Sequence, residues 1–264
     1  MLDDHVRRRE AARHGDGTFG QQRHSAPEQP SNTADSDSLD PEFKSVLQSA
    51  ALLQQHFPDA VLVGGSAAAY WARHRLSTDH DHTIPNLASI YDDAIATLNR
   101  DPSWSPARYR EGQLILGSYH GVEAGLRQLR RQVPLETTTV RVGPHLLRIP
   151  TARECLRIKG FLLVQRNSVR DYVDTVALVD YLGAEEGAAT LSKIGDFYPS
   201  DMTRQPGVSV LGQLVGRLAV AEPSDIHAIE QLREYKSLDR AYRDWAEVSS
   251  RAKNIAELLE YPNG

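Results

Sequence analysis

The sequence predicts an α+β protein: a mixed sheet with flanking helices in the N-terminal part, followed by a C-terminal helical bundle. Three observations predict it. Residues 61–84, VLVGGSAAAYWARHRLSTDHDHTI, read as strand, turn, short Ala-rich helix and strand. Between 109 and 149, β-rich runs alternate with Gly and Pro turn signals. After Pro150 the apolar residues recur with helical spacing.

Taken in order, residues 1–37 are polar, rich in Gly, Pro, Gln, Ser and charge of both signs, and are expected to be disordered. Asp40 and Pro41 pair a capping residue with a first-turn proline and open a helix carrying Val46, Leu47, Ala50, Leu52 and Leu53, ended by Phe57 and Pro58. Val61–Val63 is a buried strand, Gly64 and Gly65 allow a tight turn, and Ser66 is placed to cap a helix over 67–75. A second strand carries Asp79 and Asp81. Residues 87–99 read as a helix with Ile90, Ala94 and Leu98 on one face. Segments 109–119 and 121–129 are β-rich, and 137–142 with 145–149 form a hairpin around Gly143 and Pro144. Thr151 and Glu154 make a capping-box pattern before ARECLRIKGFLLVQR, and Ser168 and Asp171 repeat it before DYVDTVALVDYLG. Further helices are expected near 185–197, 206–219, 223–235 and 237–259. The division predicted is a tail over 1–37, an α/β core over 38–150 and a helical domain over 151–264.

The 264 residues suffice for a sizeable core, and 40% hydrophobic with 25% charged residues is ordinary for a globular chain. No apolar run approaches a membrane span and the N-terminus has no signal-peptide segment, so a cytoplasmic location and no membrane partner are expected. The single cysteine, Cys155, excludes an internal disulfide and a cysteine-rich zinc cluster. A net charge of −5 gives no global attraction for nucleic acid, so RNA binding needs a local patch. Arg127, Arg130 and Arg131 would share one side of a helix, and with Arg157, Arg166 and Arg170 are candidates to meet RNA or triphosphate phosphates; a solvated charged face is the plain alternative.

Side chains alternate along a strand, so Asp79 and Asp81 point to one spot while His80 and His82 point away. Two such carboxylates suit a hard cation, Mg²⁺ or alternatively Mn²⁺, whose remaining ligands arrive on substrate phosphates. The backbone at Gly65 and the Ser66 hydroxyl are placed to hold phosphate oxygens. Twelve residues separate Ser66 from Asp79, room for one short helix and a turn. This order and spacing resemble the DNA polymerase β-like nucleotidyltransferase superfamily. The resemblance implies an NTP substrate with Mg²⁺ and a third carboxylate on a neighbouring strand, for which Glu123 is the candidate; a plain surface role for Glu123 stands beside it. The flanking histidines depart from the superfamily, where apolar residues are usual, and read as a sheet face near a polar surface with each imidazole hydrogen-bonded.

The segment RIPTARECLRIKGFLLVQRNSVRDYVDTVALVDYL resembles the second conserved block of AbiEii-type nucleotidyltransferase toxins. Lys159 matches the helix lysine of that block, Arg170 and Asp171 its basic-acidic pair, and Asp174 its further acid. With the earlier motifs the resemblance covers roughly residues 45–183. It implies Lys159 and Arg170 at the nucleotide, Asp171 or Asp174 near the active centre, and transfer of a nucleoside monophosphate to a hydroxyl on tRNA, other RNA or protein. A cognate antitoxin is implied by resemblance alone. Lys159 also reads as a snorkelling lysine, and Asp171 as a capping-box acid. Two other functions compete: a non-catalytic nucleotide-binding module, and a small-molecule transferase of the antibiotic-modifying kind.

Overall fold

Asp40 starts the first helix as its sequence predicts: its carboxylate accepts from the backbone N–H groups of Glu42 and Phe43 at 2.9 and 3.4 Å, opening α1 (Pro41–His56). In the computed structural model the described residues are 39–235 and 237–261, all within one compact unit. The tail expected over 1–37 lies outside them.

Strand β1 (Val61–Val63) leads straight into α2 (Gly64–Ala72). The turn expected at Gly64 and Gly65 and the cap expected at Ser66 do not form. The two glycines form the helix start, Gly64 taking a φ of 75° that favours glycine, and Ser66 lies inside the first turn instead of capping it. No side chain caps this helix. The chain returns as β2 (Asp79–Ile84), runs through α3 (Tyr91–Arg100), and then lays down β3 (Trp104–Arg110), β4 (Leu114–Tyr119) and β5 (Val122–Gln128). The β-rich stretch 109–119 thus divides between two strands, broken at Gly112 with a φ of 63°. Pro106 is accommodated because β3 is an edge strand with a register shift between Pro106 and Arg108.

The sheet order is β1-β2-β5-β4-β3, with β2 and β5 parallel and every other pair antiparallel. A separate hairpin, β6 (Thr137–Val142) and β7 (His145–Pro150), is fastened to α1 by the Gln54 side chain. Its amide donates to the Arg148 carbonyl at 2.9 Å and accepts the Arg148 N–H at 2.7 Å, satisfying strand backbone that has no further strand beside it.

The second half is helical: α4 (Ala152–Arg166), α5 (Val169–Leu182), α6 (Ala184–Ser192), α7 (Val210–Val220), a short α8 (His227–Gln231) and α9 (Trp245–Glu260). The last begins later than expected because Asp244 caps it. Helix α5 is buried almost all round, with Val173, Val176 and Leu178 in the core beside Leu156, Leu214 and Ile255. Asp171 and Asp174 are buried with it, which obliges the surrounding elements to supply partners.

On β2 the alternation sends His80 and His82 into the core beneath α1, at 1% and 0% exposure. The polar surface expected around them is absent. Ser49 donates to the Tyr119 carbonyl and so accepts from His80 Nε2 at 3.0 Å, leaving Nδ1 without a partner. Neither ring nitrogen of His82 makes a well-formed hydrogen bond. Burial lowers His80 to about 4, opposed by Asp79, and burial together with His80 takes His82 well below its ordinary value of 6.5.

Because the unfolded chain binds these protons near pH 6.5 and the folded chain does not, stability is lost as pH falls from 6.5 towards 4. For His80 the full loss is about 3 kcal/mol. Urea titrations at pH 7 and pH 5 should show about 2 kcal/mol of this loss from His80, and His82→Leu should reduce the total; a pH-independent midpoint in the unaltered protein would refute the assignment.

Candidate active site

Three structural facts bring the site together. Asp79, Asp81 and Thr83 project from one face of β2, and the parallel register sets Glu123 beside Asp79, Gly125 beside Asp81 and Arg127 beside Thr83. The α2 N-terminus abuts this face, so Gly64 and Gly65 line the same cleft as the two aspartates. Helices α4 and α5 form the opposite wall, with Lys159, Arg166, Arg170, Asp171 and Asp174.

Each aspartate is held. Ser77 Oγ donates to Asp79 Oδ1 at 2.9 Å, and Arg127 Nε meets Asp81 Oδ1 at 3.2 Å. A Cβ at Gly125 would collide with the Asp81 carboxylate, so glycine is needed there for the aspartate to lie over the neighbouring strand. Ser66 is 1% exposed and donates to the Asp79 backbone carbonyl, which ties α2 to β2; its hydroxyl is directed away from the cleft. Glu123 is exposed in a shallow depression that Asp79 and Asp81 also line, and among the described residues no three His, Cys, Asp or Glu side chains converge as a metal site.

Opposite lies a buried ionic cluster centred on Asp174. His74 Nε2 lies 2.7 Å from its Oδ1, Arg75 grips both oxygens at 2.8 and 3.1 Å, and Lys159 Nζ sits 2.6 Å from Oδ2. Burial alone would raise the Asp174 pKa; Arg75, then Lys159 and His74, outweigh it and hold the carboxyl well below the usual range. Lys159 also reaches Asp171 at 3.5 Å, while Asp171 receives the Ser168 hydroxyl at 2.8 Å at the start of α5. Of the two acids the sequence offers, Asp174 is the hub, and nothing in the sequence points to His74 or Arg75 as its partners. These two precede the D-x-D strand by only a few residues, but nothing in their spacing announces a partner a hundred positions away.

The arginines fall into two groups. Arg127 lies on β5 and Arg131 in the loop beyond it, so the helical side predicted for them does not form. Arg131 is 5% exposed and paired with Glu154 at 2.6 Å, and Arg157 pairs with Glu154 and Glu136. Arg170 donates to the Tyr235 hydroxyl. By contrast Arg110, Arg130, Arg166 and Arg204 are exposed on the cleft with no ion pair or side-chain hydrogen bond to the described residues. Nine Lys and Arg residues line the cleft against four aspartates, the reverse of the chain's overall sign.

No family model matches this sequence. The heme uptake protein MmpL11 of Mycobacterium tuberculosis H37Rv is 38% identical over 131 residues, 49% of this chain and 13% of that protein. The mycolic acid-containing lipids exporter MmpL11 of Mycolicibacterium smegmatis is 35% identical over 133 residues, again 13% of its length. The match therefore covers about an eighth of these relatives, and no helix among the described residues is long and apolar enough to cross a membrane. In structure, the chain is similar to the nucleotidyltransferase toxin MenT4 of M. tuberculosis H37Rv, with a TM-score of 0.55 at 15% identity, over 83% of this chain and 82% of that one. The fold is accordingly of the nucleotidyltransferase type, a mixed sheet with flanking helices and a helical second half, as the sequence predicts.

Asp174→Asn should destabilise the protein by about 3–5 kcal/mol, because it leaves buried cations without a counter-charge. Asp171→Asn, with its weaker contact to Lys159, should cost less. Urea unfolding at pH 7 compares the two, and equal losses would overturn the assignment of Asp174 as the hub.

Proposed function

We propose that the chain is a Mg²⁺-dependent nucleotidyltransferase that passes a nucleoside monophosphate from an NTP to a hydroxyl on tRNA, other RNA or protein, releasing pyrophosphate. The observation that carries this reading is the position of Asp79 and Asp81 on one face of β2, beside the uncapped start of α2 and across a cationic cleft from Lys159. The nucleotidyltransferase-type fold supports it.

The residues fit Mg²⁺ or Mn²⁺: two carboxylates on one face, Asp81 accommodated by a glycine, and a short protein ligand set that substrate phosphates complete. Bound to Asp79 and Asp81, the ion would act as a Lewis acid on phosphoryl oxygen. The chain's own groups do the rest. Gly64 and Gly65, which line the cleft at the start of α2, offer backbone N–H groups to phosphate oxygens. Arg166 and Arg170 neutralise the triphosphate, and buried Lys159 adds its field from the wall behind. Asp79, braced by Ser77, orients the attacking hydroxyl. Arg110, Arg130 and Arg204 remain for phosphates of an RNA acceptor. An AbiEii-like toxin role with a cognate antitoxin accords with the motifs around Lys159 and Asp171, and with the toxin named as the structural neighbour.

One observation favours a second reading, a nucleotide-binding module without turnover. The Arg127 guanidinium already pairs with Asp81, one of the two carboxylates a metal ion would need.

Labelled NTP incubated with Mg²⁺ and total tRNA, or with the protein alone, separates the two. Incorporation should fall at least about a hundredfold in Asp79→Ala and Asp81→Asn; background equal to theirs in the unaltered protein would sink the enzyme reading. Gly125→Ala should retain its circular dichroism yet lose most incorporation, by displacing the Asp81 carboxylate. If RNA is the acceptor, its binding should weaken with salt, and Arg130→Ala with Arg204→Ala should lower the log–log slope by about two. An unchanged slope would assign the acceptor elsewhere.

A further inference from the structure

One end of the cleft has a different chemistry from the rest. Among the arginines there, Leu135, Ile158, Phe161, Leu162 and Met202 line it, all only half-buried, together with Gln165. Phe161 and Met202 pack on one side against the helical core and leave their remaining surface open to the cleft, apolar area that a ligand can cover. Phe161 is stacked on Tyr198 with ring centroids 4.0 Å apart and planes 8° from parallel. Tyr198 is 5% exposed, so the pair forms a rigid aromatic platform whose outer member faces the cleft. Gln165 is fixed by donating its amide N–H to the Met202 carbonyl, which leaves its carbonyl oxygen as a fixed acceptor.

The geometry points to this end as the seat of the nucleobase of the bound NTP, an inference that rests on the nucleotidyltransferase reading. Ile158, Phe161, Leu162 and Gln165 occur at i, i+3, i+4 and i+7 of α4, one continuous face that also carries Lys159 at its edge. From Lys159 to Gln165 the helix rises about 9 Å. A nucleotide spans about 6 Å in a straight line between its α-phosphorus and the glycosidic nitrogen, and the base reaches a few ångströms further, so the two lengths are comparable. Phosphates held among Lys159, the arginines and the α2 start therefore bring the base to Phe161. The cleft volume of about 610 Å³ is that of a small-molecule site, large enough for one nucleotide. There the base stacks on Phe161, continuing the Phe161–Tyr198 pair, and an N–H on its edge donates to Gln165.

Inorganic tripolyphosphate carries the charge of an NTP without its base, and it separates this inference from the reading beneath it. Isothermal titration of the full chain with Mg²⁺ and each of ATP, CTP, GTP and UTP is compared with Mg²⁺ and tripolyphosphate. At least one NTP should bind about tenfold more tightly than tripolyphosphate. Phe161→Leu, which keeps apolar bulk and removes the ring, should erase most of that advantage while leaving tripolyphosphate affinity unchanged. The unchanged value also reports that the variant is folded. NTP affinity untouched by Phe161→Leu, or lost in equal proportion with that of tripolyphosphate, would overturn the base site. Failure of the unaltered protein to bind either ligand would overturn the nucleotidyltransferase reading itself.

Discussion

A carboxylate with no exposed surface cannot stand without counter-charge, and the arrangement of this protein follows from how that requirement is met at Asp174. Its three partners come from two places in the chain: His74 and Arg75 from the connection between α2 and β2, and Lys159 from α4. The helical half is thereby locked to the segment that delivers Asp79. Arg75 extends the constraint, since its guanidinium also lies against Gly65, where a Cβ would approach Nη2 to 2.5 Å. The start of α2, the start of β2 and the far wall of the cleft are registered on one ionic cluster.

Strand β2 shows how two demands can be separated within six residues. Its odd-numbered positions face the cleft and its even-numbered histidines face the core, so the aspartates sit at the edge of solvent while the imidazoles are kept neutral by burial. The cleft face is kept open by an absence of bulk on the adjoining strand, at Gly125. Charge is distributed on the same principle: a chain with a net −5 concentrates its arginines where a polyanion would enter.

What could be read from the sequence was whatever depends on local spacing. The i, i+2 aspartates, the caps at Asp40, Thr151 and Ser168, and the helical period after Pro150 are each written within a few residues. The features that escaped depend on partners distant in the chain. Ser66 looked like a cap because its type suits one, but the β1 backbone runs directly into the helix and the hydroxyl is taken by the Asp79 carbonyl. Arg127, Arg130 and Arg131 have helical spacing, and pairing of β5 with β2 overrides it. His74 and Arg75 carry no local signal at all, because what defines them is a carboxylate on α5. The histidines inside the D-x-D strand looked like a mark of an exposed face; their surroundings are set by α1, which the strand pattern alone does not reveal.

The separation of His74 from Asp174 by a hundred residues has a consequence for biosynthesis. Translation is vectorial, and at about 5–20 residues per second the ribosome needs roughly 5–20 s to pass from one to the other. During that interval the growing polypeptide already carries both aspartates of β2 but lacks the acid that anchors Arg75 and Lys159. The two walls of the cleft therefore acquire their fixed relation only when α5 has left the exit tunnel, and a nascent chain stalled within α4 would hold the D-x-D pair without its opposing wall in place.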